Sequence, residues 1–265
     1  MISDNYFLLK LRKLTLIAGM AIALSGSLCS ISANPKIVII IDDFGYTPPD
    51  NSLMWEFLQL EGKIAVSVIP GLEFSTEMAE AFHLAGKEII LHLPLEAETD
   101  YYREPLTLLC SMPPALIAEL LAEAIRDVPH SKGISNHQGS AFTTDSLAMN
   151  RLSGAIRQER LYFIDSFTSP NSIACNICAL QGIPVLKRDL FLDCSLPPGE
   201  SVGDRLLKLI EIAESQGFAV GIGHRFSETL NALRNFLNSP ESERVELIFP
   251  SELLKLKTER SPVYE

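Results

Sequence analysis

The sequence predicts an α/β chain that closes into a distorted (β/α) barrel of about seven or eight strands, on three observations. First, Ile37 to Ile41 is an unbroken apolar run of four Ile and one Val, β-branched throughout and without alternation, which suits a strand buried on both faces of a parallel sheet. Second, short apolar runs and amphipathic segments alternate about eight times along 265 residues, with no composition break and no long linker. Third, Asp or His stands at the end of run after run, and in a (β/α) barrel those ends meet on one face. A doubly wound open sheet is the competing fold. No GxGxxG or GxxxxGK[ST] follows any strand, so a nucleotide-binding version of it is disfavoured.

The elements follow in order. KIVIIIDDFG (36–45) is the opening strand, and Pro48-Pro49-Asp50 starts a helix that Gly62 ends. Lys63–Pro70 is strand-like, Ser75–Ala85 reads as a helix closed by Gly86, and Glu88–Pro94 is a strand broken by His92. A looser stretch, Glu96–Cys110, precedes a helix from Pro113-Pro114 to about Asp127. Gly133–Ser140 is a short strand with a glycine-rich turn, followed by a helix at Asp145–Glu159 and a strand at Leu161–Asp165. Ser169–Leu180 is read as a helix and Ile183–Lys187 as a strand. Ser201–Gln216 is an amphipathic helix stopped by Gly217. Phe218–Gly223 leads to His224, Glu228–Leu237 is helical, and Val245–Phe249 with Ser251–Leu256 makes a last strand and helix.

The ends are set apart by composition. Lys10, Arg12 and Lys13 precede an apolar run, Leu14–Leu28, and small residues follow it, so residues 1–33 read as a signal peptide with cleavage after Ser32 or Ala33. An uncleaved anchor is the alternative, and it is the one link to a membrane that the sequence suggests. Residues 34–257 read as one folded domain, and 258–265 as a loose polar tail. Export places the chain in the periplasm or cell envelope. An oxidising compartment permits disulfides among Cys110, Cys175, Cys178 and Cys194. Cys175-Asn-Ile-Cys178 has no second CxxC to complete a zinc knuckle and is read as structural. A net charge of −11 without a basic face argues against nucleic acid as partner.

The strand ends collect Asp42-Asp43, His92, His137, Asp165, Asp189 and His224. The other histidines, His83 and His130, are read as packing or surface residues. Two imidazoles and a carboxylate are a common set for a catalytic divalent ion, leaving positions open for water and substrate. His92, His137 and one acid of the Asp pair can supply it, and the other acid is then placed to act as general base. A third histidine could protonate a leaving group, with an Asp to orient it. Asp165 is preferred over Asp189 for that task because it ends a strand cleanly. Asn136, Arg188 and Asp189 are candidate substrate contacts. No G-x-S-x-G elbow is present, so a hydrolase here would use water directly.

The blocks IDDFG, HLPLE (92–96), NHQGS (136–140), IDSFTS (164–169), RDLFLD (188–193) and GIGH (221–224) resemble, in order, those of the divergent (YibQ-like) polysaccharide deacetylase family. That resemblance implies the barrel, a divalent metal such as zinc, and removal of N- or O-acetyl groups from an envelope polysaccharide. It implies Asp42 as base, Asp43 as metal ligand and His224 as general acid. The chain lacks the H-x-x-x-H pair of the superfamily's deacetylases, so His92 and His137 would hold the metal from two different strands. Phe167 replaces an expected basic residue and Arg225 an expected Pro, which suggests altered substrate contacts. The alternative is a catalytically weak or inactive barrel that binds metal and envelope glycan or a partner protein.

Overall fold

A computed structural model describes residues 34–99 and 102–260. The expected signal peptide and residues 261–265 of the expected tail lie outside the described residues. Eight strands form one parallel path: β1 (Lys36–Phe44), β2 (Ile64–Val68), β3 (Glu88–Leu95), β4 (Ser131–Gln138), β5 (Tyr162–Asp165), β6 (Val185–Lys187), β7 (Leu190–Phe191) and β8 (Phe218–His224). Their spatial order is β6-β5-β4-β3-β2-β1-β8-β7, and a ninth strand, β9 (Glu246–Leu247), pairs with β1. The helices are α1 (Ser52–Leu58), α2 (Ser75–Leu84), α3 (Pro114–Asp127), α4 (Ser146–Glu159), α5 (Ala174–Leu180), α6 (Val202–Gln216), α7 (Ser227–Leu237) and α8 (Pro250–Arg260).

The result is a parallel half-barrel with helices around it, as expected, and the local signals explain most boundaries. Ser201 and Asp204 make a reciprocal capping box at the start of α6, and Gly217 ends that helix at φ 90°. Asp145 caps α4 by accepting from Leu147 N and Ala148 N. Three expectations shift. Helix α5 begins at Ala174 rather than Ser169. Thr258–Arg260, expected to be loose, complete the last turn of α8. Strand β7 was not anticipated, because two residues carry no periodicity.

β6 and β7 end the path and are joined by Arg188 and Asp189 alone. Arg188 N donates to Asp165 O on β5, and Asp189 N to Val220 O on β8. The chain itself therefore crosses the seam of the barrel.

Strand periodicity divides the buried residues into two layers. Ile37, Ile39 and Ile41 face outward and pack with Phe57, Phe82, Leu121, Leu152, Leu209 and Leu233 of the surrounding helices. Val38 and Ile40 face inward and meet Ala65, Ile90, Ile164, Val220 and Ile222, with Leu253 and Leu254 of α8 closing the interior. One step further along the same inward rows stand Asp42, Ser67, His92 and His224. Asp42 pairs in register with His224, and His92 with Ser135. The interior is thus apolar at one end and polar at the other, from a single alternation running through the strands.

Gly133 shows how tightly the apolar end is filled. A methyl group there would meet the Tyr162 ring at 1.9 Å. Tyr162 cannot readily move aside, because its hydroxyl donates to buried Glu88 at 2.8 Å, which also accepts from Ser251 N at 2.9 Å. Gly133→Ala is expected to cost about 1–3 kcal/mol, the usual range for overpacking, measured by equilibrium urea unfolding. An unchanged midpoint would show that the ring has room to yield.

Candidate metal centre

The site begins with a departure from strand geometry. Adjacent residues of a regular strand point to opposite faces, which would turn Asp42 and Asp43 apart. Instead the β1–β2 register shifts between Ile41 and Phe44, and Asp43 takes a left-handed φ of 71°. For a non-glycine residue such a conformation costs about 1–3 kcal/mol and persists only where its surroundings hold it. Here Arg225 Nε donates to the Asp43 carbonyl at 2.6 Å, and its guanidinium lies 5.0 Å from the Tyr46 ring centre. Arg225 thus braces the bulge, where a substrate contact had been expected. The bulge brings both carboxylates to one imidazole: His92 Nε2 lies 3.2 Å from Asp43 Oδ1 and 3.6 Å from Asp42 Oδ2.

His137 completes the group from β4, with Nδ1 at 3.1 Å from Asp43 Oδ1. The structure therefore brings together Asp43, His92 and His137, whose donor atoms lie within 4.8 Å of one another. His92 and His137 rings stand 5.0 Å apart at 72°, one from β3 and one from the neighbouring β4. The outer members face the opening, with side chains 27% exposed for Asp43 and 16% for His137, while Asp42 and His92 are sealed.

Behind His92 runs a line of hydroxyls that sequence reasoning missed. His92 Nδ1 meets Ser135 Oγ at 2.7 Å, and Ser135 Oγ meets Ser67 Oγ at 2.7 Å. Ser67 in turn acts on the Asp42 carboxylate, opposing the rise of its pKa. With Nδ1 engaged behind it, His92 presents Nε2 to the acids, as metal-binding histidines do. The available signal was a serine at an inward position of an otherwise apolar strand, KIAVSVIP.

The two acids differ in proton affinity. Burial raises the pKa of Asp42, with Asp43 adding to the rise and His92 opposing it. Burial acts upward on Asp43 too, but its bonds to His137 and His92 outweigh this and hold it well below the usual range. Asp42 Oδ1 is buried with no hydrogen-bond partner. An orphaned carboxylate oxygen beside two imidazoles and an ionised acid fits a site for a divalent cation and the water it brings.

On β8, next to Asp42 in register, His224 Nδ1 is bonded to Asp193 Oδ1 at 2.7 Å. Asp193 Oδ2 accepts from His224 N and from Thr229 Oγ1 at 2.6 Å. Burial alone would lower the His224 pKa; the bond and charge of Asp193, with Asp43 and Asp42 beyond, raise it to about 8. Asp193 therefore holds the position expected of Asp165. The reason is parity: Asp165 follows the outward row of Phe163 and binds Phe167 N at 2.8 Å and Ser172 Oγ at 2.7 Å. Asp193, the last residue of RDLFLD, was visible in the sequence but given no role.

The expected substrate contacts divide. Asn136 is buried and wholly engaged, accepting from Ser166 N at 2.8 Å and donating to Gln138 O at 2.7 Å, so it ties β4 to the loop after β5. Asp189 accepts from Val220 N at 2.8 Å and Gln216 Nε2 at 3.2 Å, which makes it a staple of the seam. Both are corrected to structural positions. Arg188 stays near the mouth, donating to Ser166 O at 2.7 Å and Phe167 O at 3.0 Å. It stacks 3.5 Å from the centre of the Phe191 ring, which in turn faces His224. Where Phe167 replaces a basic residue, Lys187 lies 4.4 Å over its ring. His83 and His130 stack on each other at 3.7 Å, apart from the site. All four described cysteines are free thiols, and burial pushes Cys175 and Cys178 up to about 12.

Residues 39–254 match the family model described as divergent polysaccharide deacetylase. The chain belongs to the divergent polysaccharide deacetylase family. Similar members include the uncharacterised protein YibQ of Escherichia coli, 32% identical over 202 residues, which cover 76% of this chain and 62% of that protein. An uncharacterised protein of Haemophilus influenzae is 30% identical over 210 residues, covering 79% of this chain and 74% of the relative. The match thus spans less than two thirds of the E. coli protein. Among solved structures, an uncharacterised protein of Agrobacterium tumefaciens superposes with a TM-score of 0.76 at 20% identity, covering 83% of this chain and 89% of that one. A putative cellobiose-phosphate cleavage protein of Enterococcus faecalis gives 0.58 at 16%, covering 83% and 99%. These two likenesses bear on the fold of this family member alone.

For this family member, His92→Ala and His137→Ala are expected to abolish binding of one zinc equivalent, measured by metal analysis after dialysis. Ser135→Ala should weaken zinc binding by roughly 10–100-fold, as loss of a supporting bond behind a ligand does. Unaltered affinity in all three would remove the metal assignment.

Proposed function

We propose that this protein is a metal-dependent hydrolase of the cell envelope that removes acetyl groups, N-linked ones foremost, from a polysaccharide. The observation that carries the reading is buried Asp42 and Asp193-bonded His224, partners in register on neighbouring strands β1 and β8, beside the Asp43–His92–His137 group. Family membership supports a glycan substrate, and the expected signal peptide supports an exported enzyme.

Asp43, His92 and His137 would hold the ion. Two imidazoles and one carboxylate suit zinc, although manganese, iron or nickel could use the same set. Bound there, such an ion supplies Lewis-acid polarisation and makes water more acidic. Asp42 accepts the proton that the attacking water gives up, and its unbonded Oδ1 is the atom free to take it. Its raised pKa makes it a better base than an ordinary carboxylate, though burial must be relieved as it ionises. His224 Nε2, facing away from Asp193, then gives its proton to the departing amine nitrogen, which leaves poorly without one. Asp193 keeps the imidazole turned and charged. Water and acetamide are consumed; acetate and a free amine are produced, with one proton accepted by Asp42 and one donated by His224.

Acetate release from N-acetylated glycan oligomers tests the reading. Asp42→Asn and His224→Ala should each lose about 10²–10⁴-fold in turnover, the usual contribution of a general base or acid, with metal retained in both. Tight glycan binding by the wild type without acetate release, across several metals, would instead favour a binding role.

The pH profile provides a separate check. His224 is charged below a pKa of about 8 and loses its proton above it, so turnover should fall as pH rises through that value. Asp193→Asn removes the charge that sustains the rise, so the alkaline limb should move toward the ordinary histidine value of about 6.5 or below. An unmoved limb would detach Asp193 from the acid.

A further inference from the structure

A second cluster of donor atoms lies on the acid side of the mouth. Asp193, Cys194 and His224 each present one donor atom, and the three lie within 4.8 Å of one another. A carboxylate, a thiol and an imidazole form a softer set than Asp43, His92 and His137, which contain no sulfur, and sulfur selects for zinc and similar ions. Cys194 is a free, half-buried thiol with no part in the hydrolysis outlined above. Asp193 uses Oδ2 for Thr229 and the His224 backbone, which leaves Oδ1 directed at the imidazole.

We propose that Asp193, Cys194 and His224 form a second, weaker site for a thiophilic divalent ion such as zinc, filled when metal is in excess, which withholds the proton of His224. Without an ion, a proton lies between His224 Nδ1 and Asp193 Oδ1, 2.7 Å apart. An ion bound by the three groups takes the place of that proton, and a second proton leaves the thiol as the sulfur–metal bond forms. One divalent cation enters and two protons go to solvent, so charge is conserved. His224, ligated through Nδ1, is then a neutral imidazole that holds its Nε2 proton too firmly to pass it to an amine. The Arg188 guanidinium acts on Cys194 and opposes a second cation, which sets this site below the first in affinity. The metal site itself is independent of the deacetylase reading; the withholding of a catalytic proton rests on it.

Titration of the full-length reduced protein with Co2+ tests the site directly. Two equivalents are expected, with a near-ultraviolet thiolate-to-cobalt charge-transfer band that appears only with the second. Cys194→Ser should lose the band and weaken the second equivalent by at least the roughly 10–100-fold that loss of a supporting group costs a metal site. It should keep the first equivalent, and Cys194→Ala should behave alike. His92→Ala should lose the first equivalent and keep the band. Acetate release should decline in excess zinc for the wild type and hold for Cys194→Ser. One equivalent without a band, or a band that survives in Cys194→Ser, overturns the site. Equal inhibition of both proteins by zinc overturns the withholding. The expected band with no acetate release under any condition leaves the metal site standing and counts against the deacetylase.

Discussion

The structure depends on one residue held out of strand geometry. Asp43 sits at φ 71° within a strand whose preceding residues are fully buried, and Arg225, from beyond the end of the neighbouring strand, holds its carbonyl at 2.6 Å. Without that bulge, alternation would send one carboxylate inward and the other among the helices. With it, both acids meet one imidazole: burial raises the proton affinity of Asp42, while bonds to His137 and His92 hold that of Asp43 down. The cost of the left-handed backbone is of the same order as one charge-assisted hydrogen bond, about 1.5–3 kcal/mol. A single well-aimed arginine is enough to hold it.

Everything else at the mouth follows from the inward rows of the barrel. Val38 and Ile40 lead to Asp42, Ile90 leads to His92, and Val220 and Ile222 lead to His224. The apolar part of each row anchors the strand, and its last residue is polar and lies at the mouth. Ser67 and Ser135 lie in the same layer, and Ser135, bonded to Ser67 behind it, satisfies the buried nitrogen of His92. Fold and site are therefore one pattern read at different heights in the sheet, and a register slip in β3 or β4 would displace both.

That pattern explains what the sequence could disclose. The ends of β1, β3 and β8 were legible because their apolar runs are long enough to show where each strand stops and a polar residue begins, and that of β4 because a glycine-rich turn follows it. Asp193 was not, since β7 has two residues and its partner His224 lies 31 positions away. Asp165 misled because the end of a strand is visible in sequence, whereas the face of its last residue depends on the parity of a short run. Asn136 and Asp189 were rightly placed near strand ends and wrongly taken as free, because the backbone amides they accept from, Ser166 and Val220, lie 30 and 31 positions away. Arg225 was read as a substitution toward substrate, since nothing local indicates that it turns back to β1.

The central claim is that the β1 bulge assigns the two acids different tasks around one ion. Anomalous diffraction at the zinc edge from crystals grown with zinc addresses it most directly. The account predicts a peak bonded to Asp43, His92 and His137, with Asp42 close by but outside the coordination shell. A peak ligated by Asp42 in place of Asp43, or no peak among these residues at saturating zinc, would contradict it.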